Sequence, residues 1–425
     1  MAKLYDVAVL GAGVAGLTAA YRLKGHDVVV LDADGHVGGR TLSKRLSDGS
    51  WANLAAQYVS ADKVTAIALA DELGVELVPS GFHSEEFRGG ADLPAAQRRD
   101  IDRWIAQLED EMARPRPPDT PELDRVSVAE WLGGAPAHVH DFFELWCGQL
   151  IFGSTIETSL YGLMLLWGDQ RTSAFSTPPV PRSNRGDTVF KGGTNSFTEA
   201  LARASGAKVL TGHAVTRVAR EGGRTIVTAQ GPEGEVAVAA RQVVCALPAP
   251  AALAVVADLP AKKARALAAI RYGRALATPI AVLPEGRTAP EMALSPSRHG
   301  AVYCSNACVL RTPGDIAKDG GCFHAYMHDC HARVVWDDDE ASVTSGALRA
   351  FRARFPELAP RVHWVGYRRW PLALPHYRPG RQALQKAIEA PVGGIHFCGD
   401  YVTASNMDGA ARSGEAAAAR ALAAL

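Results

Sequence analysis

Tyr5-Asp6-Val7-Ala8-Val9-Leu10, Gly11-Ala12-Gly13-Val14-Ala15-Gly16, the helical run from 17 to 23, then Val28-Val29-Val30-Leu31-Asp32: this stretch decides the fold. The first six residues are a short, mostly apolar run suited to a strand buried on both faces. Glycines spaced Gly-x-Gly-x-x-Gly follow, then a helical segment stopped near Gly25, then a second apolar strand that ends on an acid. This is one complete βαβ unit, the context in which the glycine spacing carries meaning. Gly11 permits the tight turn, Gly13 lets backbone approach a pyrophosphate, and Gly16 lets the helix lie close to the sheet. The helix start, around Ala15, supplies N–H donors and a positive dipole end to the phosphates. Asp32 stands about 20 residues after the first glycine, where an acid meets a ribose hydroxyl and disfavours a 2′-phosphate.

Working outward, Ala33 and then Gly35-His36-Val37-Gly38-Gly39-Arg40-Thr41 follow at once. A second glycine pair gives another pliable backbone segment beside the phosphates, and Arg40 offers them a forked donor. That favours FAD over NAD. Helices are expected at 64–73, 94–112, 126–132, 137–151 and 159–167, with proline-rich loops at 114–121 and 177–187. The composition changes from residue 190. A helix at 196–204 precedes short strands near 209–210, 215–218, 225–228, 235–239 and 243–246, and a helix follows at 259–270. Residues 278–367 read as strands broken by loops, with a helix at 341–355. The run 382–389 is ambiguous, 394–398 is a buried strand, and an Ala-rich helix closes the sequence from 408. The expected architecture is α/β: a Rossmann-type FAD-binding domain assembled from residues 1–85, 190–275 and 385–425, and a mixed α+β substrate domain assembled from 86–189 and 276–384.

The 425 residues suit two domains at roughly 100–200 residues each. With 47% hydrophobic and 21% charged residues, the chain can enclose an apolar cavity. Lys plus Arg is 45 and Asp plus Glu is 45, which argues against a nucleic-acid partner. Seven scattered cysteines, an odd number, favour reduced thiols in the cytoplasm over a disulfide framework. The N-terminus runs almost directly into a strand without a leader pattern, and no apolar stretch reaches ~18 residues, so no transmembrane segment is expected. The sequence leaves a homodimer open.

These residues resemble the superfamily of flavin-containing monoamine oxidases, protoporphyrinogen oxidases and phytoene desaturases, over most of the chain. Leu31-Asp32-Ala33 through Val37-Gly38-Gly39-Arg40-Thr41 is similar to the family's second phosphate motif. Leu54-Ala55-Ala56-Gln57-Tyr58 resembles its stretch beside the flavin, with Ala55 where a glycine is usual. Gly192-Gly193, the strand carrying Val215, and Cys245-Ala246-Leu247-Pro248 resemble its second cofactor segment. Phe397-Cys398-Gly399-Asp400, then Met407-Asp408-Gly409-Ala410, resembles its C-terminal signature. The resemblance implies non-covalent FAD contacted by Gly11, Gly13, Ala15, Gly16, Asp32, Ala33, Gly38, Gly39, Arg40, Thr41, Ala56, Gln57, Val215, Gly399, Asp400, Met407 and Ala410.

The departures concern the substrate side. Monoamine oxidases place a Lys near the flavin, and the matching position here is Ala277. Their two substrate-flanking rings fall near Leu372 or Ala373 and at Asn406. Instead, Arg369-Trp370-Pro371 through Tyr377 and Gly380 resembles protoporphyrinogen oxidases and desaturases. Trp370, Tyr377, Asn406 and Tyr58 are the candidates for lining the substrate, although core packing explains the aromatic ones as readily. Cys304, Cys308, Cys322, His324, His328, Cys330 and His331 could be imagined as metal ligands, but strand spacing puts residues i and i+4 too far apart, so no metal is expected. The expectation is a hydride-removing oxidase or dehydrogenase acting on a C–N or C–C bond of a small, largely apolar molecule, with dioxygen or another electron acceptor. The alternatives are a desaturase, a non-redox isomerase using bound FAD, and a flavin-binding protein without catalysis.

Overall fold

The computed structural model describes residues 3–47, 49, 51–60, 63–79, 93–114, 121–151, 153–171, 188–283, 292–294, 301–305, 321–327 and 329–425. Strand β1 (Leu4–Leu10), helix α1 (Val14–Arg22) and strand β2 (Val28–Leu31) fall where the opening stretch placed them. β1 pairs in parallel with β2 on one side and with β3 (Gly234–Cys245) on the other. Lys208–Leu210 extends the sheet beyond β2, and Ile395–Phe397 adds to the far end of β3, both in parallel. Alternate side chains of β1 enter opposite cores. Val7 and Val9 pack with α1, while Ala8 and Leu10 pack with Leu267, Ile388 and Tyr401. Burial on both faces is why these strands read as continuous apolar runs.

The spacing at 235–239 and 243–246 suggested two strands, yet β3 is one. Its first half pairs antiparallel with Arg224–Gly231 from Gly234 to Ala240, and its second half pairs with β1 from Ala239 to Cys245. One strand thus serves a hairpin and the parallel core, and the charged Arg241 on its exposed edge imitates a break. The helix Ala249–Val255, opened by Pro248, was missed. So was Asp329–Val334, inside the region read as strands. Residues 382–389 are a 3-10 turn running into the helix Gln385–Glu389. The loop at 177–187 and most of that at 114–121 lie outside the described residues.

The second sheet is centred on β4 (Tyr272–Val282), which pairs antiparallel with Gly321–Met327, Val362–Val365 and β5 (Arg368–Pro375). Its two faces differ. Leu276 packs with Ala332 and Val343, and Ile280 and Val282 pack with Phe351, all on the side of the helix Glu340–Arg354. Ala281 packs with Ala52, Tyr58 and Trp364 on the opposite side, against the short strand Trp51–Asn53. A helical layer from Ala95 to Arg171 holds its own aromatic core, in which Trp131 meets Trp104 and Phe143 edge-on at 5.2 and 5.6 Å.

The chain then returns to the first sheet through β6 (Ile395–Phe397) and the closing helix α2 (Met407–Leu422). α2 lies on α1 at a backbone-to-backbone distance: a Cβ at Gly414 would come within 2.3 Å of the Ala15 carbonyl oxygen. Gly414→Ala is therefore expected to destabilise the fold by about 1–3 kcal/mol from overpacking, even though alanine is the better helix former by about 1 kcal/mol. A melting temperature unchanged or raised in that variant would refute the close approach.

Beneath β6, the buried Lys263 ammonium donates to the carbonyls of Ile388 (2.6 Å) and Ala390 (2.9 Å) and lies 3.7 Å from the Phe397 ring centroid. Burial pushes its pKa down from 10.5 to about 8, with Arg420 adding to the fall while Cys245 and Glu389 oppose it. The folded protein thus holds fewer protons here than the unfolded chain as pH rises from about 8 towards 10.5. Lysine's contribution to stability therefore increases across that window. Urea unfolding of wild type and Lys263→Met at both ends of the window should show wild type gaining relative to the variant.

Candidate cofactor-binding site

The turn between β1 and α1 is built by glycines with different duties. Gly11 sits at φ 98°, a conformation that side chains resist. A Cβ at Gly16 would lie 1.9 Å from the Gly11 carbonyl oxygen, so helix and turn touch there through backbone alone. Gly13 is different. Its φ of −79° suits any residue, and a Cβ there would meet nothing closer than the Gly38 carbonyl oxygen at 4.0 Å. Among the described residues none requires glycine at 13, and a glycine there fits the close approach of a ligand. Gly13 is also the N-cap of α1 and offers no side-chain cap, and no acid stands in the first turn, so the N–H groups at Val14, Ala15 and Gly16 start a buried helix without a protein anion. These features fit a dinucleotide pyrophosphate.

Gly38 and Gly39 turn back onto this loop, with the Gly38 N–H donating to the Ala12 carbonyl at 2.8 Å. Both take positive φ, 114° and 54°. Thr41 is buried, and its hydroxyl donates to the Gly38 carbonyl at 2.8 Å and meets the Thr198 hydroxyl at 3.1 Å. Asp32 closes the far side. Its carboxylate accepts from the N–H groups of Ala12 (2.6 Å) and Asp34 (2.8 Å). Burial raises its pKa above the usual range, against the pull of those two donors. The segment leading to Val215 is clasped to the same turn that holds Ala33, because the N–H groups of Gly212 and His213 donate to the carbonyls of Asp34 and Asp32, each at 2.7 Å. Val215 packs partly buried in the same cluster as Leu210.

Arg40 has partners that its motif did not reveal. Its fork is turned inward onto Asp400, at 2.7 and 2.9 Å, and one nitrogen also donates to the Ala373 carbonyl at 2.6 Å. This bidentate pair supplies the counter-ion that the nearly fully buried Asp400 carboxylate needs. Burial works against the Arg40 charge, but Asp400 outweighs it and holds the pKa above its ordinary value. Tyr272 lies beside the pair, its phenol pushed up by burial and then by Asp400. Ala56 donates its N–H to the Arg40 carbonyl at 3.0 Å, and Gln57 is pinned to the Ala55 carbonyl at 2.6 Å. The 54–57 stretch is thereby fixed against the second glycine motif. Gly399 donates to the Ser413 hydroxyl at 2.8 Å, and Met407 and Ala410 lie in the first turn of α2 against the first core.

Of the substrate-side candidates, Trp370 donates its indole N–H to the Leu54 carbonyl at 2.7 Å, so it joins the second sheet to the cofactor loops. Tyr58 is half-buried between two cores. Tyr377 is only 2% exposed. Its hydroxyl donates to the Thr403 carbonyl at 2.9 Å, and a Cβ at Gly162 would come within 2.3 Å of its own Cβ, so packing accounts for it. Asn406 is the N-cap of α2, its side-chain oxygen accepting from Gly409 at 2.7 Å. Sequence reasoning missed Ser413, Thr198 and the carbonyl of Ala373; each acts through a contact distant in the chain and carries no local pattern. Of the imagined metal set, Cys308 and His328 and the side chains of Cys304, His324, Cys330 and His331 lie outside what the structure describes, and among the described residues no group of three or more His, Cys, Asp or Glu could hold an ion. Burial raises the thiols of Cys245, to about 11, and of Cys398, so both stay protonated at neutral pH.

The two glycines separate folding from cofactor binding. Gly13→Val should fold with a melting profile near wild type in the absence of cofactor, yet lose its flavin on gel filtration, whereas Gly16→Val should fail to fold. Stoichiometric flavin on purified Gly13→Val would overturn this placement of the pyrophosphate.

Comparison with known proteins agrees with this geometry. The family profile for flavin containing amine oxidoreductases matches residues 14–422. A Mycobacterium tuberculosis protein named as a flavin-containing monoamine oxidase is 29% identical over 291 residues, 60% of this chain and 59% of its own. An L-amino acid dehydrogenase of Synechocystis is 25% identical over 267 residues, 55% of each. The matched segments thus span little more than half the length of these relatives. Cyclohexylamine oxidase from Brevibacterium oxydans shares the fold, with a TM-score of 0.80, 20% identity and 99% of each chain covered. The cofactor for which these loops are built is FAD, and the chain belongs to the flavin containing amine oxidoreductase family.

Proposed function

We propose that this protein is an FAD-dependent oxidoreductase that oxidises the C–N bond of a small amine or amino-acid-derived metabolite. In this reading residues 1–85, 190–275 and 385–425 hold a non-covalent FAD, and 86–189 with 276–384 receive the substrate. The observation that carries it is the seam between the two parts. β5 is hydrogen-bonded to both cofactor loops, through Trp370 to Leu54 and through the Ala373 carbonyl to Arg40. The face of β4 and β5 on that side therefore borders the cofactor, where a molecule to be oxidised must lie.

Bound FAD supplies the redox chemistry, accepting hydrogen from the substrate carbon and passing electrons to dioxygen or another acceptor. The protein orients and shields. Arg40 and Asp400 lock the 38–41 loop, β5 and the turn before α2 into one rigid unit, so the substrate wall cannot drift from the cofactor. Trp370, whose N–H is already satisfied, stands opposite the small Ala275 and two residues from Ala277's partner on the same face. Ala277 can accept no proton from the amine, which in this reading arrives neutral or gives its proton to another acceptor. Removal of hydrogen from a C–C bond is the second reading, favoured by the Arg369-Trp370-Pro371 segment.

Anaerobic bleaching of the flavin's visible absorbance tests the proposal. Rapid bleaching is expected with amines or amino acids. Bleaching only by saturated or partly saturated cyclic compounds would assign the protein to the second reading.

A further inference from the structure

We propose that Arg368 anchors a carboxylate on the substrate, so that the compound oxidised is an amine bearing an acid group beside the reacting carbon. This rests on the C–N reading above, but its geometry stands apart from it. On the paired strands β4 and β5, Ala277 lies opposite Arg368 and Ala275 opposite Trp370. Side chains directly opposite project to the same face of a sheet. Leu276 enters the helix-side cluster with Ala332 and Val343, so alternation sends Ala275, Ala277 and their partners to the other face, towards the cofactor loops. The indole of Trp370 reaches Leu54 there.

Arg368 differs from the arginines around it. Arg40 has Asp400, Arg381 donates to the Tyr401 carbonyl, and Arg369 donates to the Asp338 carbonyl. The Arg368 guanidinium lies over the Trp370 ring, 4.8 Å from its centroid; its Nε is buried without a hydrogen-bond partner, as are those of Arg369 and Arg381, but unlike theirs its fork donates to no carbonyl or carboxylate among the described residues. Among the described residues no carboxylate pairs with it. A half-buried cation without a counter-ion is unfavourable unless something else supplies the anion. Across the strand stand only Ala275 and Ala277, so β4 puts no long side chain in front of the fork. The planar fork, oriented by the ring beneath it, matches a carboxylate by two parallel hydrogen bonds. An amine substrate held by its acid group at Arg368 would lie along the cofactor-facing side of the sheet, beyond the stacked cation and ring.

The test uses the flavin-loaded protein and benzoate, a carboxylate that cannot be oxidised at a C–N bond. Calorimetry and the flavin's visible spectrum should both report binding to wild type. Arg368→Met should weaken it about 10- to 100-fold, as expected for losing charged hydrogen bonds, and Arg368→Lys should fall between. Arg369→Met, on the opposite face, should bind like wild type. In turnover with α-amino acids, each beside the amine lacking its carboxyl, Arg368→Met should raise KM for the acid and leave the amine unchanged. Equal benzoate binding by wild type and Arg368→Met, or loss of flavin from Arg368→Met, would overturn the proposal. Arg368-dependent benzoate binding with no bleaching by any amine or amino acid would keep the carboxylate site and overturn the C–N reading instead.

Discussion

Everything in this protein depends on backbone touching backbone around the first helix. α1 meets its own entry turn at Gly16 and meets the closing helix α2 at Gly414, in both places at distances no Cβ could share. Those contacts draw residues near the two ends of the chain into one core, with Val7, Val9, Leu17, Ala410 and Ala418 packed together. α1 starts at Gly13 without a side-chain cap, while α2 starts at Asn406 with one. The difference is chemical: the uncapped end leaves its donors without a side-chain partner, as a phosphate site requires, whereas the capped end is finished by its own Asn406.

A second constraint converts this cofactor cradle into a site for a reaction. The Arg40–Asp400 pair bridges residues 360 apart in sequence and reaches a third segment through the Ala373 carbonyl. A buried ion pair is a poor source of net stability, since removing charges from water offsets much of their attraction. Its geometry is nonetheless exacting, because the guanidinium fork and the carboxylate must meet in one plane. It therefore sets where β5 lies against the flavin loops, and with it the positions of Trp370 and Arg368.

Local and non-local information divide along the same line. The βαβ unit, the glycine spacing and Asp32 were legible because each is a pattern within about 30 residues with a direct mechanical reason. The C-terminal signature was legible only through its resemblance to a family. Less legible was the strand β3, whose two halves serve different partners and so read as two strands. Asn406 stands at a ring position by register and Tyr377 in the segment that resembles protoporphyrinogen oxidases; in the fold one caps a helix and the other packs above Gly162. Side-chain identity alone cannot tell a wall of a cavity from a strut behind it.

The sequence by itself determined the cofactor class, the parallel sheet that carries it and the family, because phosphate recognition here is done by backbone and its glycines are visible in the chain. Only the tertiary structure decided what Arg40 and Arg368 do. Both are arginines on the same seam, but one meets a buried carboxylate 360 residues away and the other, among the described residues, meets a tryptophan face. A charged side chain's role is set by what the fold brings to it, and no spacing rule in the sequence encodes that neighbour.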